Sequence, residues 1–365
     1  MFELKRIGEF FRKAVVLVKI YSQVICSVKS GLPYKLTLVI TNQCNSHCKT
    51  CLAWRNETVI QMQLADIEAA VLSFPGKLAW LHLTGGEPFV HPEIKKILSF
   101  IGSLNSSMLV SISSNGLEEE KIREVLFPLA ENNRNKIFYL NLSLDGDEKD
   151  HDFIRGVEGG FTRTKHLIGY FDGLSRQYPL FSVGINSTIS KFNIDNFYNF
   201  YNRASRGIRH INVNIADFSS SCYRNSEDLS FASADKVKLR ILLEKILRTL
   251  PWYSAEFFIK RLYLKSMIRA SCGIACPLPC SSYLDSVLLF YNGSLSPCFK
   301  LSQQKTTSRF NDLGKRFDEC KSLMQGAAKS AECRDSCVLS CEKYLHIINS
   351  IVKLKINKIL PLLLS

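Results

Sequence analysis

The chain has 365 residues, 46% of them apolar and 22% charged, with 13 cysteines and a formal net charge of +14. That apolar content can build a large core, in one big domain or in one big and one small, and it excludes both a disordered chain and a small disulfide-stapled scaffold. The basic residues are scattered without a run of five or six and no nucleic-acid-binding signature accompanies them, so no nucleic-acid partner is expected.

Residues 1–30 read as an amphipathic N-terminal helix. Ile7, Phe10, Phe11, Ala14, Leu17, Val18, Tyr21, Ile25 and Val28 recur at helical spacing, and Lys5, Arg12, Lys13 and Lys19 lie off that stripe. Glu9, Arg12 and Lys13 interrupt the apolar region, and no small-residue cleavage site follows, so this is not a signal peptide. The stripe is expected to pack on the domain, with peripheral contact at a membrane surface as the second reading. Grouped cysteines without a secretory signal point to metal ligation in a reducing, cytoplasmic compartment, with peripheral placement at the inner membrane face following from that second reading. Two isolated cysteines, Cys26 and Cys222, are expected to be buried as small apolar residues.

Residues 34–250 alternate strand-like and helix-like segments. Strands are expected at Leu36–Thr41, Leu81–Thr84, Met108–Ser113, Ile137–Leu144, Phe181–Thr188 and His210–Ile215. Helices lie between them: one opened by Pro92 with Ile94, Ile97, Leu98 and Ile101 inward, one carrying Ile122, Val125, Leu126 and Leu129, and others near Phe161–Phe171 and Asn193–Tyr201. Strand–helix alternation implies an α/β fold, a parallel sheet with right-handed helical crossovers. Six units do not close an eight-strand barrel, so a partial (β/α)6 barrel of TIM type is expected, with chemistry at the C-terminal ends of its strands. A helix over Ser233–Leu250 completes this part. Residues 270–345 are rich in cysteine and turns, a small cysteine-rich domain held by metal rather than by a large core. Within it, Asn292-Gly293 marks a hairpin turn after a strand at Val287–Tyr291. Residues 346–365 form a second amphipathic helix, where Lys353, Lys355 and Lys358 argue against a membrane span.

Two motifs stand at strand ends. Cys44-Asn-Ser-His-Cys48-Lys-Thr-Cys51 places three thiols on one loop. Thiolates suit zinc and iron–sulfur clusters, but structural zinc sites usually use Cys-x2-Cys pairs, which this Cys-x3-Cys-x2-Cys spacing fits poorly. Three ligands for a four-iron cluster leave one iron open for chemistry. After the second strand comes Gly85-Gly86-Glu87-Pro88, where the glycines permit close backbone approach; alone, this could be an ordinary turn.

Together the two motifs resemble the radical S-adenosylmethionine (SAM) superfamily, over Tyr34 to about Asp217. The resemblance implies that Cys44, Cys48 and Cys51 hold a [4Fe–4S] cluster, that SAM is reductively cleaved there to a 5′-deoxyadenosyl radical, and that this radical takes a hydrogen atom from a substrate. It implies SAM contacts from Gly85, Gly86, Glu87 and Pro88. It also implies them from Ser114 and Asn115 in Ser113-Ser114-Asn115-Gly116, from Ser143 and Asp145 in Ser143-Leu144-Asp145-Gly146, and from Arg155 and Asn186. Arg155 would pair with the SAM carboxylate, a surface salt bridge being the bland alternative. One departure is Thr50, where the family usually has an aromatic; His47, Trp54 or backbone would then pack the adenine.

The C-terminal cysteines resemble the SPASM or twitch domains of the same superfamily, which carry auxiliary iron–sulfur clusters. Cys280, Cys298, Cys333, Cys337 and Cys341 would ligate one or two such clusters, with Cys272, Cys276 and Cys320 as further candidates; a zinc site is the alternative. The spacing Cys333-x3-Cys337-x3-Cys341 departs from the usual pattern, which leaves the cluster number open. The resemblance implies peptide or protein modification, with a flavodoxin- or ferredoxin-type electron donor. A radical dehydrogenase or modifier of a sugar or other small molecule is the rival, and a non-catalytic iron–sulfur binding or sensing protein the rival of another class.

Overall fold

The computed structural model describes residues 2–216, 225, 233–251, 255–274, 277–278, 280–296, 298–299, 310, 313–318, 340–353 and 359. The strands that open the sheet alternate apolar and polar residues. Leu36 and Leu38 alternate with Thr37, Leu81 and Leu83 with His82, Val110 and Ile112 with Ser111, and Leu140 and Leu142 with Asn141. The apolar set packs against the helices in one core, and the polar set is left on the opposite face of the sheet. Six strands follow: β1 (Lys35–Val39), β2 (Trp80–Thr84), β3 (Met108–Ser114), β4 (Lys136–Ser143), β5 (Phe181–Ile189) and β6 (Ile211–Ile215). Each pairs in parallel with the next, so the expected α/β fold with a parallel sheet is present.

The crossover helices are α2 (Leu64–Leu72), α3 (Ile94–Ser103), α4 (Glu119–Asn132), α5 (Glu148–Arg155), α6 (Gly160–Gln177) and α7 (Phe197–Ala204). In α3, Ile94, Ile97, Leu98 and Ile101 are all buried, at the i, i+3, i+4, i+7 spacing of a core-facing stripe. Pro92 stands before the first turn of α3 rather than in it. The helix expected at Asn193–Tyr201 begins later, at Phe197, because Asn193 is committed to a loop contact described below.

Beyond β6 come α8 (Ser233–Thr249) and α9 (Ala255–Ser271). The second was not visible in the sequence: it buries Lys260 and Arg261 along with Leu262, Tyr263, Leu264 and Met267, so it has no clean apolar stripe. A short helix, α10 (Ser282–Asp285), leads into β7 (Ser286–Phe290) and β8 (Leu295–Ser296). Strand β7 pairs in parallel with β1, from Lys35 opposite Ser286 to Val39 opposite Phe290, and β8 pairs antiparallel with β7. The sheet order is β6-β5-β4-β3-β2-β1-β7-β8. The hairpin expected inside a separate small domain therefore extends the main sheet.

Helix α1 (Phe2–Ser30) lies against α11 (Ser340–Val352) and the N-terminal ends of the strands. Tyr34, Ala79 and Leu180, each just before a strand, join Val16, Ile20, Val24 and Val28 in one cluster with Leu345. The expected stripe on α1 is corrected here. Phe10, Phe11, Val18, Tyr21 and Ile25 face outward; of the stripe, Leu17 and Val28 reach the domain, beside Val16, Ile20 and Val24, which the stripe did not include. The helix is apolar on two faces, and spacing alone does not say which one the domain covers. Cys26, expected to be buried, is exposed on the outward side. Cys222, Cys276, Cys320, Cys333, Cys337 and Asp217 lie outside the described residues, as do 354–358 and 360–365 of the expected C-terminal helix.

Candidate active site

The cysteine loop leaves β1 and is fixed from three neighbouring strand ends. From the β2 end, Gly86 N–H donates to the Thr41 carbonyl at 2.8 Å and Glu87 N–H to the Gln43 carbonyl at 2.8 Å. A Cβ on Gly86 would stand 2.0 Å from the Gln43 oxygen, and one on Gly85 would stand 2.6 Å from the Thr41 oxygen. The two glycines thus let the cysteine loop lie flat against the turn, a close approach to backbone rather than only to a ligand. The Glu87 carboxylate is buried and engaged internally. It accepts from Phe89 N–H (3.0 Å), Ser114 Oγ (2.9 Å) and Asn115 N–H (2.7 Å). Burial pushes its carboxyl up to about 7, against the pull of those donors. Pro88 opens the single 3-10 turn that follows.

From the β3 end, Asn115 reaches into the loop between the first two cysteines. Its Nδ2 donates to Asn45 Oδ1 at 2.7 Å and to Ser46 Oγ at 3.0 Å. Asn45 is held in turn by Glu118, at 2.9 Å.

From the β4 end, Asp145 is 1% exposed and pairs with Arg155 Nε at 2.7 Å. Its other oxygen accepts from Thr188 N–H at 2.8 Å, and its carbonyl accepts from Asn193 Nδ2 at 2.6 Å. Arg155 is the last residue of α5, and its Nη1 stands 3.9 Å from Cys48 Sγ. Burial works against the guanidinium charge, but Asp145 and Cys48 outweigh it and hold Arg155 firmly protonated. The end of α5 is pinned to the loop by two backbone bonds, His47 N–H to the Arg155 carbonyl (2.9 Å) and Lys49 N–H to the Ile154 carbonyl (2.8 Å). Gly156 caps α5 at φ 64°, and a Cβ there would meet the His47 oxygen at 2.5 Å. Arg155 is therefore no surface salt bridge: one of its edges is occupied by Asp145 and another faces the cysteines.

The thiols lie in each other's field. Burial pushes Cys44 up to about 12, with Glu87, Cys48 and Cys51 adding to the shift, and burial also pushes Cys48 up, opposed by Arg155. Such thiols are poor free thiolates, and their deprotonated form is favoured only when a metal takes the charge. Three sulfur donors on one loop, Cys48 buried and Cys44 and Cys51 half-buried, with a guanidinium beside Cys48, fit a thiolate-bound iron–sulfur cluster. Among the described residues, no group of three His, Cys, Asp and Glu side chains is arranged to hold a single metal ion. Beside Thr50, His47 and Trp54 meet edge-to-face with ring centroids 4.8 Å apart, and Trp54 Nε1 donates to the Cys48 carbonyl at 3.3 Å.

Inside the sheet, away from the helices, lies a polar surface with Lys35 at its base. Asn212 Nδ2 donates to Asn141 Oδ1 at 2.9 Å, and Asn214 Nδ2 to Asn186 Oδ1 at 2.6 Å. Ser143 stands opposite Asn186 in register. Deeper, His82 Nδ1 and Trp80 Nε1 share Ser111 Oγ at 2.8 and 2.6 Å, and burial and Lys35 drop His82 to about 3. Gly184 is required there, since a Cβ would meet the Tyr139 hydroxyl at 2.2 Å.

Sequence reasoning found the cysteines, the glycine turn, Asn115, Asp145 and Arg155, and the structure brings all of these together. It missed Asn45, Ser46, Asn193 and His151, whose Nδ1 accepts from Asp145 N–H at 3.2 Å. The first two stand between cysteines and carried a signal; His151 lies in the run containing Arg155, and Asn193 carried none. Of the C-terminal candidates, Cys280 is half-buried, Cys298 buried and Cys272 exposed, while Cys341 stands in the first turn of α11.

Residues 38–175 match the Radical SAM superfamily. Over 146 residues the chain is 30% identical to the sporulation killing factor maturation protein SkfB of Bacillus subtilis, covering 39% of this chain and 33% of that protein. Over 136 residues it is 28% identical to the antilisterial bacteriocin subtilosin biosynthesis protein AlbA of the same organism, covering 36% and 29%. Over 132 residues it is 27% identical to a GTP 3′,8-cyclase of Microcystis aeruginosa, covering 34% and 38%. The chain spans about a third of the length of these curated relatives. Among solved structures, Streptococcus suis SuiB bound to S-adenosylmethionine superposes with a TM-score of 0.59 at 19% identity, over 88% of this chain and 74% of that one. Native anSMEcpe with bound AdoMet gives 0.57 at 16% identity, over 90% and 98%. Both show the same fold.

Proposed function

We propose that this chain, a member of the radical SAM superfamily through residues 38–175, is a radical SAM enzyme that modifies a peptide or protein. Cys44, Cys48 and Cys51 would hold a [4Fe–4S] cluster, which, once reduced by one electron, would supply reductive cleavage of the SAM sulfonium and through it hydrogen-atom abstraction from the substrate. The observation that carries the reading is the triple anchoring of the cysteine loop by Gly86, Asn115 and Arg155. That anchoring fixes the loop around Cys44 and Cys48 before any metal arrives, so little ordering is left there for assembly.

The residues divide the remaining work. The backbone of Gly85 and Gly86, beside the cysteines, offers polar groups to the methionine amino end of SAM, while Glu87 holds the β3 end in place. Arg155, kept charged by Asp145, is the cation for the methionine carboxylate through the edge that Asp145 leaves unused. Ser114, Asn115, Ser143 and Asn186 line the strand ends where the nucleoside would lie, and His47 and Trp54 stand in for the missing aromatic. The amide pairs Asn141–Asn212 and Asn186–Asn214, with a neutral His82 below, give the inner face donors and acceptors without charge. Such a surface suits the amides of a peptide.

Names of relatives support this choice: SkfB matures a killing factor and AlbA serves bacteriocin biosynthesis. The GTP 3′,8-cyclases keep a small-molecule substrate, including a sugar, as the second reading, since neutral amides also suit hydroxyls. An auxiliary cluster at Cys280, Cys298, Cys333, Cys337 and Cys341, with Cys272, Cys276 and Cys320 as further candidates, belongs to the same proposal. So do a flavodoxin- or ferredoxin-type electron donor and a cytoplasmic location. Anaerobic reconstitution, reduction with dithionite and assay for 5′-deoxyadenosine test it. Turnover stimulated by peptide is expected; stimulation by free carbohydrate alone moves the substrate to the second reading, and no product from fully loaded protein leaves only a binding or sensing role.

A further inference from the structure

We infer that the outward face of α1 seats this protein on an anionic membrane surface. Phe10, Phe11, Val15, Val18, Tyr21 and Ile25 share that face, and Phe10, Phe11 and Val18 are each more than 60% exposed. The opposite face, with Val16, Ile20, Val24 and Val28, already packs on the domain. A helix apolar on both sides is found either buried all round or lying in an interface.

Charge selects the occupant. No acidic residue occurs between Glu9 and Glu57, while Arg12, Lys13, Lys19 and Lys29 lie within α1. Lys19 and Lys29 are exposed beside the apolar stripe, and Arg12, half-buried, is bound to Glu9. Helix α11 packs alongside, through Leu345, Ile348 and Val352. After Glu342 the sequence again has no acidic residue, but it carries Lys343, Lys353, Lys355 and Lys358 among Ile and Leu. Two cationic, apolar ends of the chain thus start from one side of the molecule. Anionic headgroups complement them, and a stripe of this length in the interface plane adds apolar burial to that attraction. A second copy packed symmetrically on the same face would instead set lysines against lysines. No helix among the described residues is long and apolar enough to cross a membrane, which fits a helix that lies on the bilayer.

The placement is compatible with chemistry. Helix α1 sits at the N-terminal ends of the strands, beside Tyr34, Ala79 and Leu180. The cysteine loop is at their C-terminal ends, so a membrane under α1 leaves the site open to substrate.

The test is co-sedimentation of the full chain, purified anaerobically, with vesicles of phosphatidylglycerol and phosphatidylcholine and with phosphatidylcholine alone. Binding to the anionic vesicles is expected, weakened by salt and by Lys19→Glu with Lys29→Glu. Phe11→Ser with Val18→Ser should lower the partition at least about tenfold while leaving the melting temperature unchanged, because both side chains are exposed. The inference is overturned by absence of binding, by equal binding to neutral vesicles, or by binding insensitive to the Phe11 and Val18 changes. A wild-type dimer that the same changes dissociate, without lipid binding, would assign the face to a second copy.

Discussion

Gly86→Ala tests the docking of the cysteine loop most directly. The added Cβ would lie 2.0 Å from the Gln43 oxygen, 2.4 Å from its carbonyl carbon and 3.0 Å from Cys44 Cβ. Backbone occupies the space, so no side chain can rotate away, and the loop must retreat by at least about 1 Å to reach an ordinary contact. That retreat breaks the bonds from Gly86 N–H to Thr41 and from Glu87 N–H to Gln43, both 2.8 Å. Two lost hydrogen bonds cost about 2 kcal/mol, and overpacking adds roughly 1–3 kcal/mol. At about 2–4 °C per kcal/mol for a domain of this class, the cluster-free protein should melt roughly 6–20 °C lower. Cys44 moves with the loop, so iron and sulfide bound after anaerobic reconstitution should fall well below the wild-type level. Gly169→Ala is the control. It lies within α6, nothing stands within 4 Å of its added Cβ, and it should gain about 0.5–1 kcal/mol with loading unchanged. A Gly86→Ala protein with wild-type melting and a full iron content would refute the docking argument.

Cys44→Ala should fold, bind less iron and form no 5′-deoxyadenosine; product formation at the wild-type rate would show that the ligands are misassigned. Asp145→Asn strands the Arg155 charge beside the cysteines and should cost on the order of 3 kcal/mol in urea unfolding. A loss below about 1 kcal/mol would mean that the pair contributes little. For His82, the folded value of about 3 lies below the ordinary 6.5. The unfolded chain therefore binds the extra proton between those values, and stability falls as pH drops through 6.5 toward 3. His82→Gln should flatten that acid limb in a plot of melting temperature against pH, and an unchanged slope would assign it to other groups.

Much of the site was legible because it is local. Cys44, Cys48 and Cys51 share one loop, and each further motif sits at the end of a strand whose alternation is visible in the sequence. Partnerships between distant segments were not legible. Asn115 could be singled out, but nothing local says that its amide reaches Asn45 and Ser46, about seventy residues away. Gly85 and Gly86 were legible as a close-approach turn, but not that the backbone of the cysteine loop lies against them. The strand at Ser286–Phe290 was recognisable as a strand, but its choice of the β1 edge was not, because pairing is decided by whichever edge remains open after the barrel forms.

Periodicity fixed which residues of the barrel strands are apolar and therefore which face meets the helices. It also showed α1 to be apolar along one stripe, where its hydrophobic residues are densest. Tertiary structure split that stripe: Leu17 and Val28 reach the domain, while Phe10, Phe11, Val18, Tyr21 and Ile25 stay outside. The barrel base packs Val16, Ile20, Val24 and Val28 with Tyr34, Ala79, Ile137 and Leu180 in one cluster, and leaves the richer face outside. Amino-acid order determines how much apolar surface a helix carries. Only the surrounding packing decides how much of it the protein itself can cover.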